Sequence, residues 1–304
     1  MNNRLLVTGG SGMVGSAFRR LCPAAEYPTR AQFHDGSYSA EDKCIIHLAA
    51  KVGGVKANTD QMADFYNINS NINQKLLHQA CFENAKKVVS LLSTCVYPDA
   101  PYITYPLTEE QLHLGPPHPS NFGYAYAKRM VDVASRAYRQ QYGCNFITAI
   151  PNNLYGENDN FDLENSHVIP AIIRKVWEAK INEKPFVECW GDGSPLREFT
   201  YSEDIVKILL FLIENYDEPG PINIGNTEEH SIKHVVEVIC SILQYDGEIR
   251  WNTKMPSGQH RKPSSNQKLL SLGWKQENYT NFKKGLTNTC EWFILKYPNI
   301  RGIN

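Results

Sequence analysis

The chain has no long apolar run. The strongest candidate, Ile205-Val-Lys-Ile-Leu-Leu-Phe-Leu-Ile213, is interrupted by Lys207; a membrane-spanning helix needs about 20 apolar residues. The opening segment, Met1-Asn-Asn-Arg-Leu-Leu-Val-Thr-Gly-Gly10, lacks the apolar core of a signal peptide. The eight cysteines are scattered singly, without a C-x-x-C pair. That excludes a disulfide framework and leads us to expect reduced thiols in the cytoplasm. A net charge of −1 supplies no global field to recruit nucleic acid or an anionic membrane. Internal repeats and low-complexity tracts are also missing. What is left is an ordinary folded protein whose anion sites must be local.

With 304 residues, 42% hydrophobic and 21% charged, the chain can bury a large core in one or two domains. Arg4-Leu-Leu-Val7 reads as a strand, and Thr8-Gly-Gly-Ser-Gly-Met-Val-Gly15 follows before a helix through Ser16–Leu21. Gly9, Gly12 and Gly15 fit G-x-x-G-x-x-G. Such a turn, with Met13 and Val14 inside it, brings backbone close to a dinucleotide pyrophosphate at a helix N-terminus. A second strand is expected at Ala24–Pro28. Arg30, just beyond it, stands where a ribose 2′-phosphate is met, which favours NADP over NAD. Lys43–Ala50 is a third strand, whose end (Leu48, Ala49, Ala50) can lie against the cofactor. From Gln61 to Ala85 a helical stripe runs through Phe65, Ile68, Ile72, Leu76 and Ala80.

The chemistry centres on two short segments. The strand Lys87–Leu92 delivers Ser93, Thr94 and Cys95 at its end. A helix then opens with Tyr124 and carries Lys128 four residues on, so both side chains share one face. A cation there is expected to lower the phenol's pKa and ready it for proton transfer. Ser93 can hold a substrate carbonyl. Cys95 on its own reads as a small buried residue, and His167 as an ordinary residue before a helix.

The strand Asn145–Pro151 leads to Asn152 and Asn153. Strands and helices alternate from residue 4 to about 151, which implies a parallel, Rossmann-type doubly wound α/β sheet. Ligands sit outside the carboxyl ends of such strands, and four motifs fall there. After His167 we expect a helix at Val168–Lys180, strands at Phe186–Trp190 and Arg197–Tyr201, and a helix at Ser202–Asn215. A strand at 221–225, a helix at Ser231–Leu243, a strand at Glu248–Trp251 and a helix at Asn281–Tyr297 complete the chain. The expected division is 1–153 with about 197–228 for the nucleotide, and 154–196 with 229–304 as a smaller α/β substrate domain. His230 and His234 share a helix face but lack an acidic ligand at a familiar offset, so no metal site is expected.

The sequence resembles the extended short-chain dehydrogenase/reductase superfamily through Gly9/Gly12/Gly15, His47-Leu-Ala-Ala50, Tyr124-x-x-x-Lys128 and Leu272-Gly-Trp274. Within it, the chain is similar to the GDP-L-fucose synthases. That likeness rests on Val52-Gly-Gly54, Ser93-Thr-Cys95, Gly115–Lys128, Asp159-Asn-Phe161, Ser166-His-Val-Ile-Pro170, Trp190-Gly191 and Arg197-Glu-Phe199. It implies a homodimer that epimerises GDP-4-keto-6-deoxymannose at C3 and C5, then reduces C4 with NADPH. By the same likeness Cys95 is the base and His167 the acid, and His167 also lies at the cofactor. Ser93 and Tyr124 bind the C4 oxygen, Lys128 binds the nicotinamide ribose, and Asn152 adds to the cofactor site. Asn153, Lys175, Trp190 and Arg197 bind substrate, with Arg174 able to replace Lys175 and Arg261 and Lys262 closing the site. Ser11 stands where the family often has arginine, and Glu157 where proline is common. Two alternatives remain: a 4-epimerase or 4,6-dehydratase that retains NAD, and a cofactor-sensing regulator without catalysis. Against the first, dehydratases carry Asp-Glu where this chain has Cys95; against the second, the tyrosine/lysine pair is intact.

Overall fold

The computed structural model describes residues 5–255 and 260–303. Arg4, expected to begin the first strand, lies outside the described residues. In chain order the first half comprises β1 (Leu5–Thr8), α1 (Met13–Leu21), α2 (Arg30–Asp35), β2 (Cys44–His47), α3 (Val55–Asp60) and α4 (Met62–Phe82). β3 (Lys87–Leu91), α5 (Phe122–Tyr142), β4 (Phe146–Pro151) and β5 (Asn153–Tyr155) follow. The second half holds α6 (Val168–Ile181), β6 (Phe186–Trp190), β7 (Leu196–Tyr201), α7 (Ser202–Asn215) and β8 (Pro221–Ile224). It ends with β9 (Glu229–Ser231), α8 (Ile232–Leu243), β10 (Glu248–Asn252), α9 (Gln267–Ser271) and α10 (Phe282–Lys296).

Five strands pair in parallel in the order β1-β2-β3-β4-β8. Their apolar residues are buried because helices cover both faces of the sheet. Val14, Ala17 and Phe18 of α1 join Ile205, Ile208 and Leu212 of α7 on one face. Leu76 and Leu77 of α4 and Val131 of α5 pack on the other. This is the Rossmann-type α/β architecture expected from the alternation of elements. The second core gathers residues of α6, β6, β7, α8 and α10 beside a two-stranded β10-β6 sheet and a three-stranded β5-β7-β9 sheet. Phe199 and Tyr201 of β7 pack in that second core, whereas α7 and β8 return to the first.

Two expectations fail here. The strand at Ala24–Pro28 shrinks to one parallel bridge, Leu6 to Glu26. Glu26 still exchanges backbone bonds with β1: Val7 N donates to its carbonyl and its own N donates to Leu5 O, both at 2.8 Å. Pro23 and Pro28 flank it, and proline has no N–H to extend the ladder. The second miss concerns α4, where Ile68 is 39% exposed. Asn69 and Asn73 take the buried positions instead. They are buried because they grip the end of β2: Asn69 Nδ2 donates to Lys51 O at 3.0 Å, and its Oδ1 accepts from Lys51 N at 2.9 Å. Asn73 meets the His47 ring instead, its Oδ1 lying 3.0 Å from Nε2.

Candidate active site

Gly9 leaves β1 with φ +72°, and a Cβ there would come within 2.8 Å of Ala49 N. At Gly15 an added Cβ would meet Gly9 O at 2.2 Å, so the first turn of α1 can approach β1 only with glycine. Gly12 differs. Its added Cβ would meet only Gly9 O, at an ordinary 3.5 Å. The fold does not require glycine at this position, and a pyrophosphate resting on the helix start does. Gly12 caps α1 without a side-chain bond, and the first turn carries no acidic residue. The turn therefore fits the diphosphate of a dinucleotide. Arg19, a residue the sequence reading passed over, braces its outer side. Its Nε donates to Gly10 O at 2.9 Å and its guanidinium lies 4.3 Å from the Tyr27 ring centroid. Arg30 is exposed, the first residue of α2 after a Thr29/Gln32 capping box.

The ends of β1 and β2 are tied by hydrogen bonds. Thr8 Oγ1 accepts from Leu48 N and Ala49 N, both at 3.2 Å, and lies 2.8 Å from His47 Nδ1. The hydroxyl hydrogen is then free to go to Nδ1, which leaves the His47 Nε2–H to donate to Asn73 Oδ1. Asn73 Nδ2 in turn donates to Ala127 O at 3.2 Å, one residue before Lys128. His47 is buried and neutral, its pKa pulled down to about 3, first by burial and then by the Lys128 charge.

Ser93, two residues past β3, is extended, and its Oγ accepts from Cys95 N at 3.3 Å. That bond closes a tight turn, which carries Cys95 into a cluster with Ala57, Phe65 and Tyr124. Tyr124 meets the Phe65 ring edge-on at 6.1 Å. Lys128 is 3% exposed, and its Nζ donates to Leu91 O at 2.9 Å. The expected electrostatics must be corrected. Burial, and then the neighbouring Cys95, hold the Tyr124 phenol above its ordinary range. Burial also draws Lys128 down to about 8. Desolvation thus dominates both groups, which are shielded from water.

His167 caps α6 at the exposed start of that helix. The loop before it docks on the glycine pair after β2, with Gly54 N donating to Asn165 O at 3.0 Å. Gly54 lies three residues before Ala57 of the Cys95–Tyr124 cluster, so the loop that leads to His167 rests on the segment carrying that cluster. Asp159, buried in that loop, has its pKa raised by burial and opposed by the His167 charge.

The other candidates separate. Asn152 is committed to the protein: Nδ2 donates to Asn226 O at 2.7 Å and Oδ1 accepts from Thr200 Oγ1 at 2.7 Å. Asn153 is exposed, with Nδ2 donating to Glu198 O at 2.9 Å. Arg174 is occupied by Glu178 Oε1 at 2.7 Å, Phe161 O at 3.0 Å and Gly302 O at 2.7 Å. Lys175, beside it, donates from Nζ to Glu188 O at 3.1 Å and holds its ammonium 5.6 Å from the ring of Trp190, a residue 48% exposed. Lys175 makes one hydrogen bond against three for Arg174, so more of its donors stay available. Arg197 Nη1 donates to Leu196 O at 2.7 Å. Arg261 turns outward to Glu229, with Nε 2.8 Å from Oε1, while Lys262 is half-buried. His230 stacks on Phe282 at 3.9 Å as part of the packing, and no His/Cys/Asp/Glu cluster suited to a metal occurs among the described residues.

The family model "NAD dependent epimerase/dehydratase family" matches residues 37–225. The chain belongs to this family. Within the NAD dependent epimerase/dehydratase family, it is 38% identical to a GDP-L-fucose synthase of Dictyostelium discoideum, across 98% of this chain and 97% of that one. A GDP-L-fucose synthase of Sinorhizobium fredii is also 38% identical, across 96% of this chain and 95% of its own. The solved structure of a GDP-L-fucose synthetase from Naegleria fowleri bound to NADP superposes with a TM-score of 0.89 at 36% identity. It covers 98% of this chain and 95% of that one.

Proposed function

We propose that the protein converts GDP-4-keto-6-deoxy-D-mannose to GDP-L-fucose, epimerising C3 and C5 before NADPH-dependent reduction of the C4 ketone. The observation that carries this reading is Cys95 set against Tyr124, with Ser93 at the same strand end. A simple reductase needs the serine, tyrosine and lysine; the thiol adds a base for C–H abstraction. NADP(H) suits the chain through the Gly9–Gly15 turn and the exposed Arg30, and its reduced form would supply the hydride when bound.

Cys95 thiolate takes the proton at C3 and, after passing it to solvent, the proton at C5, each time leaving the electron pair to form an enolate on the C4 oxygen. Ser93 and Tyr124 hydrogen-bond that oxygen. His167 returns a proton to the opposite face of each carbon. In the reduction, Tyr124 gives its proton to the developing C4 alkoxide while Lys128 holds the ribose. Lys175, Trp190, Arg197 and Asn153 receive the nucleotide-sugar; Leu48, Ala49, Ala50 and the Asn152 backbone shape the cofactor side. In this reading residues 1–153 with 197–228 carry the cofactor, and 154–196 with 229–304 carry the substrate.

Two copies pair through α4 and α5, which leave Ile68, Met130 and Val133 exposed at 39%, 49% and 44%. The protein works in the cytoplasm, in keeping with its eight unpaired thiols. No helix of the described residues is long and apolar enough to cross a membrane.

Incubation with GDP-4-keto-6-deoxymannose and NADPH tests the function. One equivalent of NADPH is oxidised per sugar, and NMR identifies GDP-L-fucose. No loss of reduced-nicotinamide absorbance with folded protein would refute it.

A further inference from the structure

Arg129 follows Lys128 on α5 and is 7% exposed, yet no step above uses it. Its guanidinium reaches back to the Cys95 turn. Nε donates to Val96 O at 2.9 Å and Nη2 to the same oxygen, while Nη1 donates to Gly115 O at 2.8 Å. The guanidinium also lies 5.3 Å from the Tyr126 ring centroid. A buried charge is costly unless its donors are met, and here the backbone of two other segments meets them. A planar fork serves two separate carbonyls at once, which the single ammonium of a lysine does not.

Both ends of the turn are thereby tied to α5. Lys128 holds Leu91 O at 2.9 Å, ahead of Ser93, and Arg129 holds Val96 O, directly after Cys95. Between these anchors the turn closes on itself, with Cys95 N donating to Ser93 Oγ at 3.3 Å and Val96 N to Ser93 O at 3.0 Å. Gly115 stands across the neck from which residues 97–115 loop out. That neck is closed by Asp99 N donating to Pro116 O at 2.9 Å and by a bridge between Pro98 and Pro117. Tyr124, clustered with Cys95, belongs to the same helix as both cations. Thiol and phenol are thus set relative to each other through α5.

We propose that Arg129 is a positioning residue for the thiol. By clamping Val96 and Gly115 to α5, it fixes Cys95 against Tyr124 in the arrangement that proton removal beside the C4 carbonyl needs. The inference deepens the proposed function and rests on it for the role of Cys95. Tyr124 and Lys128 stand on α5 itself, and Ser93 lies nearer the Leu91 anchor, so the hydride step depends on the clamp far less. A misplacement of about 1 Å can cost on the order of 100-fold in rate. That loss should fall on the step that uses the thiol.

Two measurements on the whole protein test this. Amide hydrogen exchange over residues 93–97 needs no turnover and reads the turn itself. In Arg129→Met it should speed by about ten-fold or more, while β3 keeps wild-type protection. The second measurement compares two partial reactions, each expressed per site that binds NADP+. Deuterium entry at C3 and C5 of the ketone in D2O isolates epimerisation, and the first turnover of GDP-L-fucose with NADP+ isolates hydride transfer. Arg129→Met should slow the first by about ten-fold more than the second. Arg129→Lys keeps the charge without the fork and should slow deuterium entry by about three-fold or more. Unchanged amide exchange over 93–97 in Arg129→Met overturns the clamp. Faster amide exchange with equal losses in both reactions overturns the link to Cys95. Wild-type deuterium entry in Arg129→Lys overturns the part given to the fork. If Arg129→Met binds no NADP+, the same comparison is read from Arg129→Lys. No deuterium entry in the wild type would refute the proposed function, and amide exchange would still decide the clamp.

Discussion

The Lys128 ammonium donates to the Leu91 carbonyl oxygen at 2.9 Å, at the strand end that presents Ser93. The contact holds a buried charge whose pKa lies near 8 in the folded chain and near 10.4 when unfolded. Between those values the unfolded chain binds more protons, so this group's contribution to stability rises with pH across that window. Lys128→Met removes a penalty that is fully present below pH 8, of roughly 3 kcal/mol less what the Leu91 contact returns. Urea unfolding should show the gap between wild type and variant changing between about pH 8 and 10 and flat below. A gap independent of pH would mean that Lys128 titrates normally.

Gly12→Ala and Gly15→Ala should part company. Gly15→Ala forces a methyl to 2.2 Å from Gly9 O and lowers thermal stability. Gly12→Ala leaves unfolding unchanged but weakens NADPH binding by about ten-fold or more, since the methyl fills the space where a pyrophosphate rests. Calorimetric titration with NADPH beside a melting curve separates the two. Equal affinity in Gly12→Ala would remove the turn from the cofactor site.

Cys95→Ser tests the division of labour in the cleft. In D2O the wild type should place deuterium at C3 and C5 of the sugar, and the variant should lose that exchange by about 100-fold or more, the scale of a lost general base. Hydride transfer to the unepimerised ketone should fall far less. Full GDP-L-fucose formation by the variant would show that another group is the base.

His47→Phe should destabilise the protein without altering its pH profile, because the imidazole stays neutral down to about pH 3. The ring's loss leaves Asn73 Oδ1 and the Thr8 hydroxyl without their partner, each costing on the order of 1–3 kcal/mol. Thermal unfolding measures it. A variant as stable as wild type would mean that the two groups find other partners.

Most of the frame was legible. Strand ends carrying Gly9, Ala49, Ser93 and Asn152 followed from apolar runs stopped by small or polar residues, and Phe186–Trp190 and Ser202–Asn215 fall where their patterns put them. Ala24–Pro28 failed because a strand needs donors along its length, and its flanking prolines supply none. Ile68 failed for a different reason. Periodicity assumes that buried means apolar, whereas Asn69 is buried to hold the Lys51 backbone and Asn73 to hold the His47 ring and the Ala127 carbonyl. In the cleft, spacing placed Tyr124 and Lys128 on one face but could not tell how dry that face would be. The choice between Arg174 and Lys175 was likewise closed to sequence. It depends on Gly302, at the far end of the chain, occupying the arginine.

The late return of β8 to β4 has a consequence for how the chain is made. Synthesis runs from the N-terminus, so β1 to β4 are complete while Pro221–Ile224 has yet to emerge. Until then the outer edge of β4, from Thr148 to Pro151, has no strand to pair with, and an open edge invites pairing with another chain. A nascent or truncated chain ending before Ile224 therefore carries its stickiest surface next to Asn152 and Asn153. A chaperone guarding this protein during translation would find its client there.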